Sequence, residues 1–273
     1  MNPFLRRLVA PFLAALALPA SASTFSTHYT DLWYLPSESG WGVNVIQQYD
    51  TIFTTLFVYG PDNTPRWYVG PAVRAQGTGG QFSGELYSTL GPAFSAPWNP
   101  AAYSFTQVGN VTFNFTSPTT GSVTYTVNGV SVNKSIVRQT WAGNVLSGNY
   151  IGGVTANGTG CRNGVSNGPI IIHGELTIGH SNFFNPTFRV DFVTGGGADA
   201  TCTFVGNYSQ EGRLGRVSNG TWSCQIPGVS NPPAGTFTMS QIEPTMNGLN
   251  GRFNGADQNC NYDGYFGGIK DVL

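Results

Sequence analysis

Val123-Thr124-Tyr125-Thr126-Val127-Asn128-Gly129-Val130-Ser131-Val132, residues 123–132, is the stretch that decides the fold. Val123, Tyr125 and Val127 alternate with two threonines, so an extended chain here has one apolar face and one polar face. Asn128-Gly129 then supplies the two residues that most readily take positive φ, as a two-residue type I′ turn demands. A second run, Val130 to Arg138, follows at once. The pattern predicts a β-hairpin with strands over 123–127 and 130–138.

The same grammar repeats outward from this hairpin. Toward the N-terminus, β-rich runs at 111–115, 103–107, 82–87, 66–73, 51–59 and 43–48 are separated by turn residues, most plainly Gly60-Pro61-Asp62-Asn63. With the hairpin they make eight candidate strands. Toward the C-terminus eight more follow, at 148–154, 170–178, 187–193, 201–208, 218–224, 236–242, 249–253 and 261–269. Past the first residues, no stretch keeps apolar positions at a spacing of three and four over ten residues. Composition agrees. Only 9% of the 273 residues are charged, against about 25% in an average soluble domain. Gly contributes 37 residues and aromatics 13%. That mixture suits short strands and tight turns and makes poor surface helices. Short consecutive strands favour up-and-down barrels or meander sandwiches, and closure removes the edges a weakly charged sheet would expose. The expectation is an all-β chain of two tandem antiparallel barrel-like domains. One spans 24–142 and has no cysteine; the other spans 143–273; they join at Ala142-Gly143-Asn144.

The N-terminus has another character. Arg6 and Arg7 precede an apolar run from Leu8 to Leu18, and Ala20-Ser21-Ala22 has the small-x-small form of a cleavage site. The run is well short of the roughly 20 apolar residues of a membrane span. Residues 1–22 are therefore expected to be a signal peptide cut after Ala22, leaving an exported protein, periplasmic or secreted. Without Arg6 and Arg7, ten basic residues face 13 acidic ones, so there is no basic footprint for nucleic acid or an anionic membrane. In an oxidising compartment the four cysteines are expected to pair. Cys202 and Cys224 fall on consecutive strand candidates. Cys161 follows the first strand of the second barrel and Cys260 starts its last, and these strands meet antiparallel on closure. The predicted bridges are Cys202–Cys224 and Cys161–Cys260.

Trp33-Tyr34-Leu35-Pro36-Ser37-Glu38-Ser39-Gly40-Trp41-Gly42-Val43-Asn44, with Pro65-Arg66-Trp67-Tyr68, Gly84-Glu85-Leu86-Tyr87, Gly91-Pro92 and Val137-Arg138-Gln139, resembles a WYxPxxSGWGxN pattern of secreted bacterial domains. The second half, with Gly251-Arg252-Phe253 and Asp257-Gln258-Asn259-Cys260, looks like a companion module. The family has no settled function. The resemblance implies an exported accessory domain and carries over no catalytic residue.

Several motifs suggest chemistry. Gly164-Val165-Ser166-Asn167-Gly168 fits G-x-S-x-G, but a nucleophile elbow needs a strand-to-helix turn, and no helix pattern follows. His173 and His180 lie seven apart, so on one strand they face opposite sides and do not converge on a metal. Asp257, Asn259 and Asn261 match the first three ligand positions of a calcium loop, yet Tyr262 and Gly268 stand where Gly and a bidentate acid belong. Neither a metal nor another cofactor is expected. Glu38, Glu85, Glu175, Asp191 and Glu243 are available for a hydrolytic carboxylate pair without any spacing that selects two of them. Aromatic residues give the clearest surface signal. Trp33, Tyr34, Trp41, Asn44, Trp67 and Tyr68 are the candidate ligand-binding set, with one member of each adjacent aromatic pair inside the barrel and the other outside. The leading expectation is a secreted non-enzymatic protein that binds a glycan or small polar ligand at the first barrel's mouth. The alternative is a structural or protein-interaction module at the cell surface, including an inhibitor of another secreted protein. A hydrolase is the third reading.

Overall fold

The computed structural model describes residues 27–77, 79–180, 187–194 and 200–271; the expected signal peptide, 1–22, lies outside them. Eight strands form a first closed barrel: β1 (Asp31–Tyr34), β2 (Gly42–Gln48), β3 (Thr51–Tyr59), β4 (Pro65–Ala75), β5 (Gln81–Leu90), β6 (Ser104–Phe115), β7 (Thr120–Val127) and β8 (Val130–Arg138). Eight more form a second: β9 (Gly148–Thr159), β10 (Gly168–His180), β11 (Thr187–Thr194), β12 (Thr201–Glu211), β13 (Leu214–Gln225), β14 (Ala234–Thr245), β15 (Gly248–Asp257) and β16 (Asn261–Lys270). Each strand pairs antiparallel with its sequence neighbours, and β1–β8 and β16–β9 close the rings. The all-β, two-barrel expectation holds.

The opening hairpin is β7–β8. Val127 pairs with Val130 across the turn, and Asn128 and Gly129 have φ of 49° and 82°, as a type I′ turn requires. The first barrel reaches eight strands by a different division from the predicted one. The run at 103–107 is not a strand of its own; with 111–115 it belongs to the continuous β6. Gly109, which reads in sequence as an interruption, sits where a Cβ would lie 1.8 Å from the Thr126 carbonyl oxygen. Glycine there admits β7 and lets the strand run on. The strand absent from the prediction is β1, only four residues long and soon followed by Pro36.

Buried and exposed residues alternate along strands such as β2 and β13, and the first barrel is filled through its middle. Trp33, Val43, Val45, Ile52, Val73, Phe82 and Phe113 have 0% exposure. Tyr29 stacks on Phe115 with ring centroids 4.0 Å apart and caps one end. At that end Arg138 closes β8 with its guanidinium buried. Its Nη1 donates to Asp31 Oδ2 at 3.1 Å and to the Thr30 carbonyl at 3.2 Å. Its other nitrogens donate to the carbonyls of Pro118 and His28. The guanidinium also lies 5.0 Å from the centre of the Trp33 ring.

The second barrel docks on this end. Its β12–β13 turn carries Gly212 against Arg138, where a Cβ would lie 2.6 Å from the Arg138 side chain. The Gly212 N–H donates to Thr140 Oγ1 at 2.7 Å, and the Gln210 side-chain amide donates to the Ala142 carbonyl and accepts from the Asn144 N–H, both at 2.8 Å. Arg213 pairs with Glu243 at 3.2 Å and approaches Asp31 at 4.0 Å. Leu146, fully buried, leads the connecting segment into the second core. The barrels thus meet end to end, and the far rim of each faces away from the other. Both predicted disulfides are present. Cys202 stands directly opposite Cys224, and both bridges lie toward the far rim of the second barrel.

Two outcomes are expected in urea unfolding. Asp31→Ala strands the Arg138 charge and should cost about 3–5 kcal/mol, whereas Asp62→Ala, which breaks the exposed pair with Arg66, should cost under about 1 kcal/mol. Removing Cys161–Cys260, whose cysteines are 99 residues apart, should cost about 4–5 kcal/mol on chain-entropy grounds. Removing Cys202–Cys224, 22 apart, should cost about 3 kcal/mol. The reverse order would show that strain or denatured-state structure dominates.

Candidate functional site

The two inner walls differ in how they are filled. In the second barrel, apolar side chains near the junction are buried, including Tyr150, Val217, Ile242 and Leu249. Toward the far rim the inward residues Val154, Phe204 and Trp222 are only half-buried, and Ile172 remains 40% exposed. They surround a cavity of about 460 Å³, within the roughly 300–1,000 Å³ of ordinary small-molecule sites. Eight strands make a barrel just wide enough either to be filled by side chains or to hold one small ligand. Glycine tips the balance. Gly152, Gly235, Gly255 and Gly264 occupy inward positions of β9, β14, β15 and β16 and send no side chain into the lumen.

The polar atoms of this cavity gather at the rim. Phe253, Gly255 and Asp257 share the inner face of β15, and Tyr262, Gly264 and Phe266 that of β16. Asp257 Oδ1 accepts the N–H groups of Asn259 and Cys260, each at 2.7 Å, and Oδ2 accepts the Tyr262 hydroxyl at 3.0 Å. The spacing that imitates a calcium loop is thus an Asx-type cap on the β15–β16 turn. Burial, reinforced by the Asp257 carboxylate, pushes the Tyr262 phenol up to about 12. Trp222 pairs with Gly235, and Gly235 with Asp257. The Trp222 indole lies over the bare glycine, where a Cβ would be 2.7 Å from Nε1, and among the described residues that buried nitrogen has no partner.

The residues singled out in the sequence lie in the first barrel and do not form one set. Trp33 is core, its Nε1 donating to the Tyr29 carbonyl at 2.9 Å, and no ligand reaches it. Tyr34 faces the other way, as neighbours on a strand must. Asn44 is exposed on the outer surface, as is Trp67 at 55%. Trp41 and Tyr68 both lie half-buried toward the far rim of the first barrel, each packed on its core. Gly40, at φ +108°, and Gly42, covered by the Phe57 ring, fix Trp41 there. Trp41 Nε1 donates to Glu38 at 3.1 Å, and Glu38 pairs with Lys134 at 2.8 Å. The Lys134 ammonium holds the Glu38 carboxyl below its usual range. Burial raises the nearby Tyr125 phenol, with smaller contributions from Glu38 and Tyr68.

The other motifs separate as well. His173 is exposed, while His180 packs edge-on against Tyr208 at 4.3 Å and burial lowers its pKa. The hydrolase candidates are held apart by different partners, Asp191 by Arg189 at 2.8 Å and Glu243 by Arg213 at 3.2 Å. The cavity residues Val154, Ile172, Phe204 and Trp222 were not singled out in the sequence. Their available signal was the run of inward glycines in β9, β15 and β16. Comparison of the chain with protein-family models, curated proteins and solved structures finds no significant match to any of them.

Proposed function

We propose that this is an exported, non-enzymatic binding protein whose second barrel takes up one small, largely apolar molecule, with the first barrel as its packed support. The observation that carries this reading is the set of inward apolar side chains left uncovered around the cavity, in a chain whose other barrel is packed through its middle by Trp33, Phe82 and Phe113 at 0% exposure. Uncovered apolar surface in a concave site gains about 25 cal/mol for each Å² that a ligand removes from water. The two disulfides and the resemblance carried by Trp33 to Asn44 support export. The uncharged fluorophore N-phenyl-1-naphthylamine is expected to bind saturably at one site per chain, with enhanced, blue-shifted emission. At a hundredfold excess over Kd such a ligand adds about 2.7 kcal/mol of stability, visible as a higher melting temperature. Val154→Trp should fill the cavity and abolish the signal while the chain still unfolds cooperatively. No saturable enhancement, or equal binding by Val154→Trp, would overturn the reading.

A glycan or other polar ligand at the first barrel's far rim is the second reading. It is favoured by the half-buried Trp41 and Tyr68 rings at that rim, with Trp41 bonded to the Glu38–Lys134 pair, since flat rings next to charged hydrogen-bonding groups suit sugar faces and hydroxyls. A glycan array should then give hits that Trp41→Ala loses; a blank array sinks it.

A further inference from the structure

The cavity has a chemical polarity of its own, and the inference drawn from it rests on its being a ligand site. We propose that it takes an apolar molecule ending in a hydrogen-bond donor, an amine or an alcohol, and discriminates against the carboxylate of the same chain. Among the described residues Asp257 is the one charged side chain in the cavity wall, and it stands at the rim, where the head of a buried chain would lie. Two backbone N–H groups fix its Oδ1. Its Oδ2 accepts a single hydroxyl among the described residues, that of Tyr262, although a carboxylate oxygen has two lone pairs to offer. Among the described residues no Lys or Arg forms an ion pair with it. Arg252, its nearest cation in sequence, pairs with Asp263 at 3.2 Å, and Arg162 donates to the Gln258 carbonyl of the turn.

A carboxylate held rigidly in an apolar wall, with acceptor capacity left over, favours an incoming donor and repels a second carboxylate. Trp222, in register with Asp257 across the bare Gly235, sets its indole beside the position of the head, and its Nε1–H, without a partner among the described residues, can donate to the oxygen of an alcohol there. Below this level the wall is Phe192, Leu176, Ile178 and Met239, which ask only for hydrocarbon. The site therefore reads as a greasy tube with a negative collar.

The test uses the full exported chain and three ligands with one tail: octylamine, octanol and octanoate, competing for the N-phenyl-1-naphthylamine site near neutral pH. Octylamine and octanol should displace the probe at about tenfold lower concentration than octanoate, or better, as a hydrogen bond to a charged group implies. Asp257→Asn keeps an oxygen for the Asn259 and Cys260 N–H groups but removes the charge, and should erase most of the amine preference. Tyr262→Phe frees Oδ2, and should leave that preference intact or enlarge it. Equal competition by all three ligands, or an amine preference unchanged in Asp257→Asn, would overturn the inference and leave the apolar site standing. If neither the probe nor any of the three binds, the ligand site itself is refuted.

Discussion

The architecture depends on one buried guanidinium. β1 contributes four residues and is joined to β8 by two register pairs, the thinnest seam in either ring. Arg138 reinforces that seam from inside, tying Asp31, Thr30, His28 and Pro118 to the end of β8 through its fan of donors. Lysine could not replace it, because no single ammonium reaches four acceptors in different directions. Burial pulls the Arg138 pKa down while Asp31 holds it up, and arginine starts from so high a value that it stays charged. The same group forms the floor on which Gly212 and Arg213 of the second barrel rest. Closing the first ring and joining it to the second thus share one side chain.

From that shared floor the two barrels diverge in how much they fill. Both have eight strands, so their lumens are similar in width, and what differs is the volume sent inward. The first receives Trp33, Phe82, Phe113 and Phe115, which pack together through its middle and are 0–3% exposed. The second receives rings of comparable size, Phe204, Phe237 and Phe253 among them, but spaces them with glycines. The strands can then curve sharply, since at Gly152, Gly235 and Gly264 a Cβ would come within about 2 Å of a neighbouring carbonyl oxygen. Tight curvature and an open lumen come from the same substitutions of hydrogen for side chain.

This explains what could be read in advance. Fold class, strand alternation and both disulfides follow from local signals, the Asn128-Gly129 turn above all, combined with the geometry of ring closure. β1 escaped because four residues of Asp-Leu-Trp-Tyr show no clear alternation, and its pairing is decided by Arg138, far away in the chain. The cavity escaped for a deeper reason. Val154, Phe204 and Trp222 would look the same in sequence whether they packed to full density or lined a hollow, because the difference is a sum of volumes over eight strands. The aromatic residues near the N-terminus drew attention by their frequency, yet frequency does not separate a ring that fills a barrel, such as Trp33, from one that waits for a ligand.

The fastenings of the molecule are divided by chemistry as well as by place. Ion pairs and amide hydrogen bonds hold the junction, while sulfur bridges are confined to the rim around the cavity. Thiol exchange at Cys202–Cys224 or Cys161–Cys260 would therefore act first on the entrance of the cavity, and the joint between the barrels has no covalent tie for a reductant to break. The rim that carries Asp257 is thus the part of the second barrel most directly exposed to the redox state of the surroundings.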